Sequence, residues 1–178
     1  PHFPWDGELR FFEQHLTIPG ELDVTGVGMM GLPVVTIGFN ENLGWTHTVS
    51  QSKRFTLYQL TLSENDPLKY VYDGKERDIT SKKIKVTYKK PDGALEDVNH
   101  TVYFSHFGPM VDLSSMSSLL GWSSTNAISY RDANKGNVRI LDAWLAMGKA
   151  KSTAEFFKAF EDHQGIPWVN TIMAADDG

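Results

Sequence analysis

Six histidines, His2, His15, His47, His100, His106 and His163, are the side chains of this sequence best suited to moving protons near neutral pH. Their spacing contains neither His-Glu-x-x-His nor His-x-His, so the primary structure writes no zinc site. His15, His47 and His100 fall in stretches that read as strands, where a hydrogen-bonded structural role is expected. Serines are plentiful, but Gly-x-Ser-x-Gly is absent, so there is no nucleophile elbow. The chain has 0 cysteines, which removes thiolate nucleophiles, disulfides and Cys-ligated metals. The first residue poses a separate question. A terminal Pro1 would carry a secondary amine able to act as a general base, the chemistry of a tautomerase, if it sat in a pocket with cationic groups. An internal Pro1, exposed by truncation or proteolysis, would carry no chemistry.

Other groups are weaker candidates. GVGMMGLP (26–33) is glycine-rich and follows a strand, but it lacks both the dinucleotide fingerprint and the Gly-Lys-Ser/Thr ending of a phosphate loop. It reads as a bend that brings backbone and two methionines close to something else. Trp5, Trp45, Trp122, Trp144 and Trp168 are core fillers or the walls of an apolar pocket. Asp112 and Asp132 are conceivable calcium ligands, but no EF-hand loop is present, and no metal is assigned.

These residues must be positioned by a scaffold of ordinary composition. The chain has 178 residues, 40% hydrophobic and 22% charged, enough for one buried core. A net charge of −5 gives no reason to expect nucleic acid, and no apolar run is long enough to span a bilayer.

The first 110 or so residues read mostly as strands. LRFFEQHLTI (9–18), ELDVTGVG (21–28), VVTIGFN (34–40), GWTHTVS (44–50) and FTLYQLTL (55–62) have β-branched or alternating patterns, separated by turn residues. KKIKVTYKKPDGALEDVNHTVYF (82–104) reads as a hairpin turning at Pro91-Asp92-Gly93, with Lys82, Lys83, Lys85, Lys89 and Lys90 on a solvated edge. Beyond residue 112 the chain changes character. DLSSMSSLLGWSSTN is turn-like, and NVRILDAWLAMGKA (137–150) sets Val138, Leu141, Leu145 and Met147 near helical spacing. STAEFFKAFEDH (152–163) opens with a capping box, Ser152 to Glu155, and IPWVNTIMAADDG closes as a strand running into a turn signal, half of a hairpin. A strand-rich part (1–112) is thus followed by a helical part with a closing strand (113–178), giving an α+β class.

GLPVVTIGFNENLGWTHTVS (31–50) resembles a segment of the penicillin acylase family of N-terminal nucleophile hydrolases. PHFPWDG (1–7), SHFGPMV (105–111), YRDAN (130–134) and QGIPWVNTIMAADDG (164–178) resemble further family segments in the same order. HLTIPGELDVTG and GIPWVNT point to the branch of acyl-homoserine-lactone and aculeacin-type acylases. The resemblance covers essentially the whole chain. It implies a fragment of the β-chain, an αββα fold, and hydrolysis of linear amides of fatty-acyl substrates such as acyl-homoserine lactones or lipopeptides, with penicillins as a further class. A catalytically dead module that binds apolar ligands on the same fold is the alternative.

In such enzymes an autocatalytic cut creates an N-terminal nucleophile whose own α-amine serves as base. The resemblance places that residue upstream of Pro1, which answers the question above in favour of an internal proline and an inactive fragment. His2 matches the histidine near the nucleophile. Val49 matches the residue whose backbone N–H forms part of the oxyanion hole. The second donor, an Asn, and the usual Arg fall beyond residue 178. The acyl pocket is implied to comprise Phe3, Met29, Leu32, Thr36, Ile37, Thr48, Trp144 and Trp168. Met29 and Met30 depart from the commoner Leu-Pro pairing, which bears on acyl-chain length. No cofactor is implied. The implied partner is the α-chain of the same processed precursor, with no nucleic acid and no membrane insertion, in a periplasmic or secreted bacterial enzyme.

Overall fold

The computed structural model describes residues 3–177. The chain forms two compact units, residues 1–52 with 136–178 and residues 53–135.

The first unit is a five-stranded antiparallel sheet carrying two helices. Its strands are β1 (Phe11–Ile18), β2 (Leu22–Met29), β3 (Ile37–Phe39), β4 (Leu43–Val49) and β12 (Val169–Ala175), in the order β1-β2-β3-β4-β12. The closing strand therefore pairs with β4, in the register Val169 to Val49 through Ala175 to Leu43. Between β2 and β3 the chain turns at Gly31, so Gly26 and Gly28 lie inside β2 and the expected bend starts only after Met29. Gly26 instead faces Gly38, close enough that a side chain on either would strike backbone.

Helix α1 (Ile140–Lys149) buries Ala143, Trp144, Met147 and Gly148. The expected apolar positions Val138, Leu141 and Leu145 are exposed, and Met147 alone of the four is buried. Trp144, the largest side chain of the helix, sets the buried face, and Val138 precedes the first turn. Helix α2 (Thr153–His163) starts at the predicted cap, with Ser152 accepting from the Glu155 N–H at 3.2 Å. Glu155 reaches back one residue further than the standard box, to the Lys151 N–H at 2.8 Å. Leu22, Val24, Leu43, Trp45, Trp144, Met147 and Phe156 form the core between sheet and helices.

The second unit holds β5 (Phe55–Leu62), β6 (Lys69–Tyr72), β7 (Lys75–Asp78), β10 (Met110–Val111) and β11 (Asn126–Asp132) in the order β10-β11-β5-β6-β7, all antiparallel. Strand β11 begins where the turn-like serine stretch was expected to end. The predicted hairpin is β8 (Thr80–Lys89) with β9 (Leu95–Phe104), and Gly93 in its turn has φ +87°. Every residue of β8 is exposed, the lysines included. Lys85 pairs with Asp97 at 2.7 Å across the polar face. Asp132 accepts a bidentate pair of bonds from Arg54, whose guanidinium holds the carboxyl below its usual range, and Asp112 caps the Ser114 N–H. Both carboxylates thus have structural partners.

Candidate functional site

The C-terminal end of β4 carries two of the sequence-derived candidates, Thr48 and Val49, and backbone phase decides what each presents. Hydrogen bonds in an antiparallel strand alternate from one side to the other, residue by residue. At the β3–β4 turn the Asn40 N–H bonds to the Leu43 carbonyl at 2.9 Å, so Leu43 faces β3. On the other side the Asp176 N–H bonds to the Asn42 carbonyl at 3.1 Å, so Asn42 faces β12. Counting forward, Thr48 bonds towards β12 while Val49 directs its N–H to the β3 side. Strand β3, however, pairs with β4 only at Gly38–Trp45 and Phe39–Gly44. The Val49 N–H is left without an acceptor among the described residues, on a residue 50% exposed.

The side chains around Val49 form two cross-strand rungs. On the face away from the helices, Thr48 opposes Asn170. The Asn170 Nδ2 donates to Thr48 Oγ1 at 3.3 Å and to the Val49 carbonyl oxygen at 3.1 Å. On the helix-facing side, His47 opposes Thr171. The Trp144 indole Nε1 donates to His47 Nε2 at 2.9 Å, and Thr171 Oγ1 lies 3.0 Å from His47 Nδ1. An indole can only donate, so Nε2 carries the lone pair and the neutral ring holds its proton on Nδ1, donated to Thr171. Burial drives the His47 pKa down to about 4, partly opposed by the backbone of Asn170 and Thr36. His47 is thus neutral at physiological pH, in the structural role expected of it. His15 is also in a strand and bonded, to Asp23 at 2.5 Å.

The remaining candidates divide by sheet face. Register places Met29, Ile37 and Thr48 on the face turned away from the helices, where Met29 pairs with Phe11 and Ile37 with Val27. Phe3 joins this group, stacked edge-on against Phe11 at 5.3 Å. Thr36 and Trp144 are buried on or behind the helix side, and Leu32 packs against the same core. Trp168 is half-buried just before β12. His2 lies outside the described residues. Sequence reasoning missed Asn170 and Thr171, since the register that sets them opposite Thr48 and His47 cannot be read from either strand alone. A polar hollow of about 280 Å³ lies at the opposite end of β4, lined by Glu21, Asn40, Asn42 and Lys149 among others. It contains none of the candidates.

The chain shares the fold of a solved penicillin acylase, an N-terminal nucleophile hydrolase. It superposes on a thermostable penicillin G acylase from Alcaligenes faecalis with a TM-score of 0.78 at 22% identity, covering 99% of this chain and 30% of that one. The family model for penicillin amidase matches residues 1–178, and the chain belongs to that family. It is 49% identical over 178 residues to the acyl-homoserine lactone acylase PvdQ of Pseudomonas putida, covering 100% of this chain and 22% of the relative. It is 47% identical to the protein of the same name in Pseudomonas fluorescens Pf-5. Aculeacin-A acylase of Actinoplanes utahensis is 36% identical over 175 residues, 98% of this chain and 21% of the relative. The chain therefore spans about a fifth of the length of these relatives. No helix among the described residues is long and apolar enough to cross a membrane.

Proposed function

We propose that these residues are part of the β-chain of a bacterial acylase that hydrolyses the linear amide bond between a fatty acyl chain and an amine head group, as in acyl-homoserine lactones or lipopeptides. The observation that carries this reading is the open Val49 N–H at the end of β4. Attack on an amide carbonyl turns its oxygen into a tetrahedral oxyanion, and a fixed backbone donor stabilises that charge as it develops. Because the donor is main chain, position in the strand matters more than the side chain at 49. Collapse of the intermediate expels the amine and leaves an acyl ester on the nucleophile, which water then cleaves.

The nucleophile is proposed to lie upstream of Pro1, with His2 beside it. The acyl chain is placed on the sheet face shared by Phe3, Met29, Ile37 and Thr48, with Trp168 at its border. Leu32, Thr36 and Trp144 back that face from the core side. Each CH₂ buried there contributes roughly 0.8 kcal/mol, so pocket depth sets chain-length preference. The α-chain of the same precursor completes the enzyme, which acts in the periplasm or outside the cell. Family membership and the names of the relatives support this assignment.

The test is to express the full-length polypeptide that contains these residues and measure homoserine lactone release from acyl-homoserine lactones of graded chain length. Turnover by the full-length protein and none by residues 1–178 alone is expected. Tight binding of the acyl probes with no turnover by the full-length protein would overturn the enzymatic reading in favour of a binding module.

A further inference from the structure

We propose that Asn170 is a positioning residue for the oxyanion-binding end of β4. The inference rests on the acylase reading above and adds to it a residue outside the set drawn from the sequence. The peptide that carries the donor N–H joins Thr48 to Val49. Asn170 brackets it, holding Thr48 Oγ1 on one side at 3.3 Å and the Val49 carbonyl on the other at 3.1 Å.

Strand phase leaves the β3-facing side of this end of β4 unpaired, while β12 lies along the other side as far as Val49. Val49 points away from β12 and lies four residues past the last position paired with β3, Trp45. The β12 ladder holds the Thr48 carbonyl, but the peptide that follows Val49 has no ladder partner, and the Val49 carbonyl takes the Asn170 amide in place of one. The orientation of that amide is chemically determined, because a carbonyl oxygen can only accept and the group facing it must be the NH₂. Asn170 is also exposed and sits inside a strand, where asparagine is disfavoured. It contributes little to packing, so its place is accounted for by the two bonds it donates. With the amide in place, the peptides on both sides of Val49 are held, one by the β12 ladder and the next by Asn170. Without it, the peptide after Val49 turns freely, Val49 loses its restraint on that side, and the donor samples directions away from the oxyanion.

The experiment compares Asn170→Ala and Asn170→Asp in the full-length polypeptide, with dodecanoyl-homoserine lactone as the probe. Asn170→Ala should lower kcat roughly tenfold to a hundredfold, leaving KM within about twofold and the melting temperature unchanged, since misdirection of one donor acts on the transition state. Asn170→Asp is nearly isosteric yet should be worse by about a further tenfold. An ionised carboxylate cannot donate to the Val49 carbonyl and adds negative charge where an oxyanion forms. Its activity relative to wild type should recover as pH falls into the carboxyl range, where the protonated acid regains a donor. That recovery separates positioning from mere stability even if the variants melt earlier. Wild-type kcat in both variants, or losses that track the melt with no pH recovery, would overturn the inference and leave the acylase reading standing. A wild-type protein inactive on every acyl probe would instead overturn both.

Discussion

The Trp144 indole N–H donates to His47 Nε2 at 2.9 Å, joining helix α1 to the strand that ends in Val49. Both residues are only 6% exposed. Protonation of Nε2 would break this bond and bury a charge. Burial pushes the His47 pKa down to about 4, from an ordinary value of 6.5. In the unfolded chain the ring takes its proton near 6.5, so between these values the unfolded state binds more protons than the folded one. Stability therefore rises with pH across that window, is fully present above it, and is lost as pH falls towards 4. The shift corresponds to about 3 kcal/mol. Urea unfolding of the protein and of His47→Gln, followed across that pH range, should show the variant with the shallower slope. Parallel curves would remove His47 from this account.

Trp144 itself should behave as a core residue. Trp144→Ala is expected to cost about 3–5 kcal/mol by opening a cavity against Val24, Val34 and Val35. Trp144→Phe keeps most of the volume but leaves His47 Nε2 unpaired, at about 1–3 kcal/mol. A chain-length series of substrates should show similar relative losses throughout. Selective loss on long acyl chains with an unchanged melt would instead make the indole a pocket wall.

Val49 offers the most direct test of the site. Val49→Pro deletes the N–H, and in the full-length polypeptide it should lower kcat by roughly 10²–10³-fold. Val49→Ala keeps the donor and should stay within severalfold of wild type. Equal activity in the two variants would show that the main-chain donor at this position takes no part in the reaction.

Gly38 makes a different kind of prediction. A Cβ there would come within 2.3 Å of the Thr25 carbonyl oxygen and 2.5 Å of Val35 Cγ1. The oxygen belongs to the backbone of β2 and cannot move aside without opening the sheet. Gly38→Ala should therefore destabilise the protein by about 3 kcal/mol or more, read from a thermal or urea melt. An unchanged melt would mean that β2 and β3 are farther apart than described.

Much of the scaffold is legible in the sequence, because alternation and capping are local signals. Strands β1, β2, β4 and β5 and the β8–β9 hairpin fall where their patterns place them, and Ser152 marks the start of α2 to the residue. The β6–β7 hairpin has strands of only 4 residues each, too short for an alternation pattern, although Asp73-Gly74 carries its turn signal. Both residues have positive φ, +52° and +68°, as a two-residue turn of this hand requires. The site was less legible. Val49 is unremarkable as a residue type and was reached only through resemblance to a family. What makes its N–H available is that β3 is short, and Asn170 matters through a register 121 positions away in sequence. Neither relationship has a local signature.

The β3–β4 turn is tied down on both sides. The Asn40 amide donates to the Gly148 and Ala150 carbonyls at the end of α1, while its oxygen receives the Asn42 and Leu43 N–H groups. Because side assignment alternates along β4, the length of this turn decides which residue near the strand's end presents an open donor. Adding or deleting one residue at Glu41 or Asn42 would swap odd for even, turn the Thr48 amide outward and lock the Val49 amide into β12. Substitutions across this segment can be absorbed one at a time, whereas a single-codon insertion or deletion is felt at Val49, seven or eight residues downstream. Natural variation in the turn should therefore run through changes of residue type, with its length held constant.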